Sequence, residues 1–136
     1  LIRPSRTVRR LKMKVLIYGR TITAECLRQN LVEHGVVAAT AVSQPEMETM
    51  LASGLRPDIV IIDRWNLNAP AISHFCHDDL HICTVLLTGS SAKDWEALES
   101  YSVDGYISDR FNNGELKARL QAIYRRVKPA CICEVI

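Results

Sequence analysis

The segment Ile59-Val60-Ile61-Ile62 is apolar at four successive positions and ends on a carboxylate, Asp63. A strand with one wet face alternates apolar and polar residues, so a run without alternation needs cover on both faces. Four residues are too few for a helix, and far too few for a bilayer span of about 20 residues. The run predicts a central strand of a parallel sheet with helices on either side. Val15-Leu16-Ile17-Tyr18 and Val36–Val42 read as strands before it, and Ile82–Leu87 and the short Tyr106-Ile107 as strands after it.

Helical spacing fills the intervals. Residues 22–34 place Ile22, Cys26, Leu27 and Leu31 on one face and stop at Gly35. Ser43-Gln44-Pro45-Glu46 is a helix start: Ser43 caps, Pro45 suits the first turn, and Glu46 stands where it can close a capping box. Met47, Met50 and Leu51 form the apolar stripe behind it, and Gly54 ends it. A helix at about 70–79 turns Ile72, Phe75 and Cys76 inward. Ser91 caps a helix carrying Trp95 and Leu98, and residues 113–127 repeat Leu116, Leu120, Ile123 and Val127 at helical spacing. Five β-α units joined by short connections predict an α/β three-layer sandwich. Right-handed crossovers then favour a flavodoxin-like parallel sheet of order 2-1-3-4-5.

The chain is 48% hydrophobic and 24% charged over 136 residues, enough apolar material for one core without metal or disulfide staples. One domain is expected over residues 13–127, with a basic arm at 1–12 and a tail at 128–136. The net charge of +2 hides an asymmetry, because Arg3, Arg6, Arg9, Arg10, Lys12 and Lys14 crowd the first 14 residues without an acid. With those six set aside, 11 basic residues face 15 acidic ones, so the body is acidic. A basic arm can touch nucleic acid or an anionic membrane. The preferred reading is an extension ahead of a natural start at Met13-Lys14-Val15, with nucleic acid reached only through a separate output domain. No membrane span is expected. The five cysteines, at 26, 76, 83, 131 and 133, show no framework spacing and suit reduced thiols in the cytoplasm.

In an open parallel sheet, ligands gather at the carboxyl ends of the strands. Gly19 and Arg20, Asp63, Thr88 and Asp109 fall there. The segments Asp58-Ile-Val-Ile-Ile-Asp63, Leu86-Leu-Thr88-Gly and Gly105-Tyr106-Ile-Ser-Asp109-Arg-Phe111 resemble the signature segments of bacterial response-regulator receiver domains, over about residues 13–127. The resemblance implies a phosphoacceptor position at Asp63. It also implies a hydroxyl at Thr88 that contacts the phosphoryl group, and a reorienting aromatic at Tyr106. A working member holds Mg²⁺ with that aspartate and an acidic pair after the first strand, and pairs the phosphoryl group with a lysine after the fifth.

This chain departs from that pattern at the chemistry. The acidic pair falls on Gly19 and Arg20, and the lysine position on Asp109. One metal carboxylate is left, a cation stands where Mg²⁺ would sit, and an anion stands where phosphate would want a cation. The interval from Asp63 to Thr88 is also short for the family, which points to a trimmed third helix or loop. These departures imply a degenerate receiver, non-enzymatic and without Mg²⁺. Arg20 and Asp63 are expected to pair in the pocket, with Asp109 as a candidate third member. Function would then rest on protein–protein contact, as a homodimer or with a partner. The resemblance places that contact on the face of the fourth helix, fifth strand and fifth helix, which carries Trp95, Glu99, Tyr101 and Arg119, with Arg125 and Arg126 at the helix end. Bland alternatives stand beside these assignments: Asp63 as a solvated strand end, Tyr106 as a packed ring with a wet hydroxyl, and Trp95 as core.

Two other readings compete. Asp63 could still accept a phosphoryl group in a two-component pathway, or Arg20 could draw a small anion to the loop with Thr21 and Thr23. Dinucleotide, P-loop and nucleophile-elbow motifs are missing from the sequence. His74, Cys76, His77, Asp78, Asp79 and His81 crowd into eight residues, but straddle a helix end without a second ligand pair. They are expected to form a polar helix terminus and not a metal site.

Overall fold

A computed structural model describes residues 12–66, 68–89, 98–112 and 114–127. Five parallel strands form one sheet: β1 (Lys14–Tyr18), β2 (Val37–Ala41), β3 (Ile59–Asp63), β4 (Cys83–Thr88) and β5 (Gly105–Ser108). Their order is β2-β1-β3-β4-β5, the flavodoxin-like order expected from the sequence. β3 lies at the centre, with Tyr18 opposite Ile62 on one side and Asp63 opposite Leu87 on the other. All five of its residues are buried, which is why the run could not alternate.

The strand period of two sorts the core into two layers. Val15, Ile17, Ile59, Ile61, Val85 and Ile107 pack with helix α1 (Thr21–Glu33) and the last helix, α4 (Glu115–Val127). Leu16, Tyr18, Val60, Ile62 and Leu86 pack on the other face with helices α2 (Gln44–Ala52) and α3 (Ala69–His74). Helices on both faces follow from right-handed crossovers between parallel strands.

Helix α2 starts as its sequence dictates. The Ser43 hydroxyl accepts the Glu46 N–H at 3.3 Å, and Glu46 Oε1 accepts the Val42 N–H at 2.7 Å. The return bond thus lands one residue before the cap, not on Ser43 itself. Helix α3 is only six residues long and runs into a π-turn over Phe75–Asp79. His81, at φ 57°, then turns the chain toward β4.

Helix α1 corrects one expectation. Its buried residues are Ala24, Leu27 and Leu31, while Ile22 is 80% exposed and Cys26 is exposed as well. Both lie about 200° around the helix from Ala24, so they cannot share its face. Alanine at position 24 carries the true inward stripe. The helix expected from Ser91, with Trp95, lies outside the described residues, as do the basic arm to residue 11 and the tail with Cys131 and Cys133.

Candidate functional site

Three loops meet at the carboxyl end of the sheet. β1 ends at Tyr18, and the Gly19 N–H donates to Ala41 O at 3.1 Å, which holds the β1–α1 turn against β2. Arg20 is the residue before α1, in extended conformation, so its side chain stands at the mouth of the turn. β3 delivers Asp63 to the same level from the centre of the sheet.

Asp63 is 1% exposed, the most deeply buried acidic or basic side chain among the described residues. A buried carboxylate needs partners on its oxygens. Oδ1 accepts the Trp65 N–H at 3.1 Å, an Asx turn that starts the β3–α3 loop. Oδ2 faces Arg20 Nε at 3.4 Å, a long single-pronged contact. The Arg20 side chain remains 59% exposed, so the guanidinium lies over the carboxylate from the solvent side. Both carboxylate oxygens are therefore engaged by the chain itself.

Gly19 completes the geometry by what it lacks. A Cβ at this position would lie 2.8 Å from Asp63 Cβ, closer than two carbons can approach. The first of the two residues after β1 thus cannot carry a side chain while Asp63 keeps its position. Any residue there, acidic or not, would push the β3 end aside.

Among the described residues, the side chains of the remaining strand-end residues are not bonded to this pair. Thr88 is half-buried, and its hydroxyl donates to Ile107 O at 3.3 Å, which turns it toward β5. Asp109 is exposed; its backbone N–H donates to Thr88 O at 2.9 Å. Among the described residues no ion pair joins Asp109 to Arg20 or Asp63, so the candidate third member of the cluster is not part of it. Asp109 stays exposed after the edge strand β5, where water solvates its carboxylate.

The rim of the site is apolar, which sequence reasoning missed. Ile22 in the first turn of α1, Val42 after β2 and Trp65 after β3 are all largely exposed. The Arg64 guanidinium lies 4.5 Å above the Trp65 ring, a cation–π contact that keeps the indole presented to solvent. Only the Ile22 error in the face of α1 concealed this; Trp65 beside a strand end was a readable signal.

The second candidate face flanks β5. Tyr106 is 41% exposed on this edge strand. Tyr101 is half-buried, with its hydroxyl 3.5 Å from Arg64 O, and Glu99 is exposed. Arg119 is exposed on α4 and pairs with Glu115 at 3.3 Å. A surface groove of about 730 Å³ runs between β5 and α4, lined by Asp104, Gly105, Tyr106, Arg119, Ile123, Arg125 and Arg126. Gly105 sets its depth, because a Cβ there would meet Ile123 at 2.7 Å. Trp95, expected on this face, lies outside the described residues.

No family model matches the sequence, and no curated protein does. Solved structures do match. The chain superposes on a response regulator receiver protein from Burkholderia phymatum with a TM-score of 0.70, at 19% identity, covering 83% of this chain and 95% of that one. The N-terminal domain of a response regulator/sensory box/GGDEF protein from Carboxydothermus hydrogenoformans gives 0.72 at 16% identity, covering 87% and 98%. The receiver domain of the Francisella response regulator 1452 gives 0.68 at 21% identity, covering 86% and 100%. The chain thus has the fold of response-regulator receiver domains. Among the described residues no helix is long and apolar enough to cross a membrane.

Proposed function

We propose that this chain is a receiver-type signalling module that works without phosphorylation, through protein–protein contact. One observation carries the reading: Asp63, the phosphoacceptor-equivalent position, is buried with both oxygens engaged by Arg20 and by its own loop. An attacking carboxylate needs a free oxygen and a cation to neutralise the incoming phosphoryl group. Here both oxygens are taken, and the cation paired with the carboxylate among the described residues, Arg20, is fixed on it.

The same residues do not suit Mg²⁺. This ion wants several oxygen ligands in octahedral geometry. Among the described residues the pocket offers one carboxylate, a glycine without a side chain and a guanidinium 3.4 Å from the carboxylate. Asp109 is exposed and, among the described residues, forms no ion pair with Asp63 or Arg20. The domain is therefore read as non-enzymatic and fixed in one state, with Arg20 as a built-in substitute for the activating cation.

Output is assigned to the β5–α4 face. Tyr106, the switch-aromatic position, is exposed there beside a groove with three arginines. Aromatic and arginine side chains together suit a protein interface, for a second copy or another partner in transcriptional or assembly regulation.

The test is intact mass after incubation with a small phosphodonor and Mg²⁺, with Asp63→Ala as control. No phosphate-sized gain is expected on either chain. A gain on the natural chain alone would overturn the reading and make Asp63 a working phosphoacceptor. A thermal shift with small anions that Arg20→Met abolishes would replace it with an anion sensor at the same loop.

A further inference from the structure

At the opposite end of the sheet, two histidines sit in a network that no strand-end chemistry requires. His74 ends α3, and His77 and Asp78 lie in the π-turn that follows. His74 Nδ1 lies 2.9 Å from Asp78 Oδ2, and His74 Nε2 lies 3.1 Å from Ser100 O. His77 Nδ1 lies 2.8 Å from Asp78 Oδ1, and His77 Nε2 lies 3.0 Å from Asp104 Oδ1. Each of the four ring nitrogens therefore faces a carboxylate or a carbonyl oxygen.

That pattern favours the charged form. A neutral imidazole has one N–H and one lone pair, so one of its nitrogens would point a lone pair at an acceptor. The His77 ring, with a carboxylate at each nitrogen, fits its surroundings only as imidazolium; the His74 ring donates to Asp78 and Ser100 O in its charged form, and the Ser102 hydroxyl is the group that can donate to its neutral form. Asp78 then accepts from both rings, and the Ser102 hydroxyl joins them, 2.8 Å from His74 Nδ1 and 3.0 Å from Asp78 Oδ2. The charged groups facing the rings are Asp78 from their own turn, Asp104 from the segment before β5, and each other.

The partners on the far side all belong to residues 100–104, the stretch that leads the chain into β5. A neutral bond reinforces the junction: the buried Ser73 hydroxyl accepts the Ser102 N–H at 3.0 Å. Asp104 also reaches inward, where Oδ2 accepts the Thr84 N–H at 2.9 Å. The geometry points to a protonation-operated latch, in which charged His74 and His77 fasten the 100–104 segment to α3 and their neutralisation releases it. Release frees the lead into β5, which carries Tyr106 on the proposed output face.

The direction follows from the partners. The Asp78 carboxylate and the Ser100 carbonyl hold the His74 pKa above its ordinary value, and Asp78 and Asp104 do the same for His77. The two histidines push Asp78 down from 3.8 to about 2. A raised histidine contributes stability fully below its unfolded value and loses it as pH rises through the folded one. A depressed aspartate contributes above its unfolded value and loses that as pH falls. The latch is thus fully closed between pH 3.8 and pH 6.5 and opens above that range.

The test uses the full chain labelled with ¹⁵N. Long-range ¹H–¹⁵N spectra report the charge of each ring, and amide exchange reports protection at Ser102. Both rings should titrate above the ordinary histidine value. The protection factor of Ser102 should fall about tenfold or more as the rings lose their protons, while that of Ile61 stays level. A ring titrating at or below its ordinary value overturns the latch, and so does Ser102 protection that ignores pH. Asp104→Asn serves as the conservative variant, since its side-chain oxygen can still accept from Thr84. It should lower the His77 midpoint, and an unmoved midpoint also overturns the proposal.

Discussion

The two ends of the sheet each hold a carboxylate among cations, and they solve the same electrostatic problem in opposite ways. At the carboxyl end, Asp63 is buried in the central strand and has one long contact to one guanidinium. At the amino end, Asp78 is half-exposed and takes short bonds from two histidines and a serine. The first arrangement cannot be titrated by its partner, because arginine keeps its proton at all ordinary pH values. The second is built from groups that change charge near neutrality. A locked end and a switchable end therefore coexist in one domain. The choice of cation, arginine or histidine, decides which is which.

The comparison can be broken at the locked end first. Gly19→Ala places a carbon against Asp63 where there is no room and should cost about 2 kcal/mol, read by urea unfolding. A cost under about 0.5 kcal/mol would mean that the β3 end is not held as described. Arg20→Met removes the cation that, among the described residues, pairs with the buried carboxylate of Asp63. The cost expected is about 1–2 kcal/mol, below the range for a fully buried pair because Arg20 is mostly exposed. Asp63→Asn should cost less than Arg20→Met, since it removes the buried charge and keeps an acceptor for Trp65. The reverse order would show that the ion pair itself, and not the unpaired charge, matters most.

At the switchable end the effects are smaller and depend on pH. Asp78→Asn should lower the urea midpoint more at about pH 6 than at about pH 9, because the histidines lose their contribution as pH rises through their raised values. Equal losses at both values would make Asp78 a static tether. Arg20→Met, measured in the same way, should show no such dependence between those two values. The smallest effect expected is at the rim. Ile22→Ser should change stability by less than about 0.5 kcal/mol, against roughly 3 kcal/mol for Leu27→Ala on the buried side of the same helix. Comparable losses would put Ile22 back in the core.

Much of the architecture was legible because it depends on local pattern. The uninterrupted run before Asp63 required cover on both faces, and β3 has it. Ser43 with Pro45 marked the start of α2 through backbone donors that any helix must satisfy. The face of α1 was misread because Ile22 and Cys26 outweighed Ala24 on a hydrophobicity count. Alanine signals burial weakly, yet it is what allows a helix to sit close on a sheet. At the site, Arg20 and Asp63 were legible as a pair, since both fall at strand ends of adjacent strands in this topology. Asp109 fell at a strand end too, but it stays exposed, and a strand-end position alone does not say which side chains meet.

The histidine cluster shows the limit most clearly. Its residues were conspicuous in the sequence as a polar helix end, with His74, His77 and Asp78 within one turn and a half. Ser100, Ser102 and Asp104, which give the cluster its meaning, lie more than 20 residues away. Sequence by itself determined the strands, the order of elements and the covered central strand, because each follows from residue type and short-range spacing. Only the tertiary structure decided that Asp63 has both oxygens taken, that Gly19 has no room for a side chain, and that two histidines face acceptors on every nitrogen. Those facts depend on distances between segments far apart in the chain, which packing fixes and local pattern does not encode.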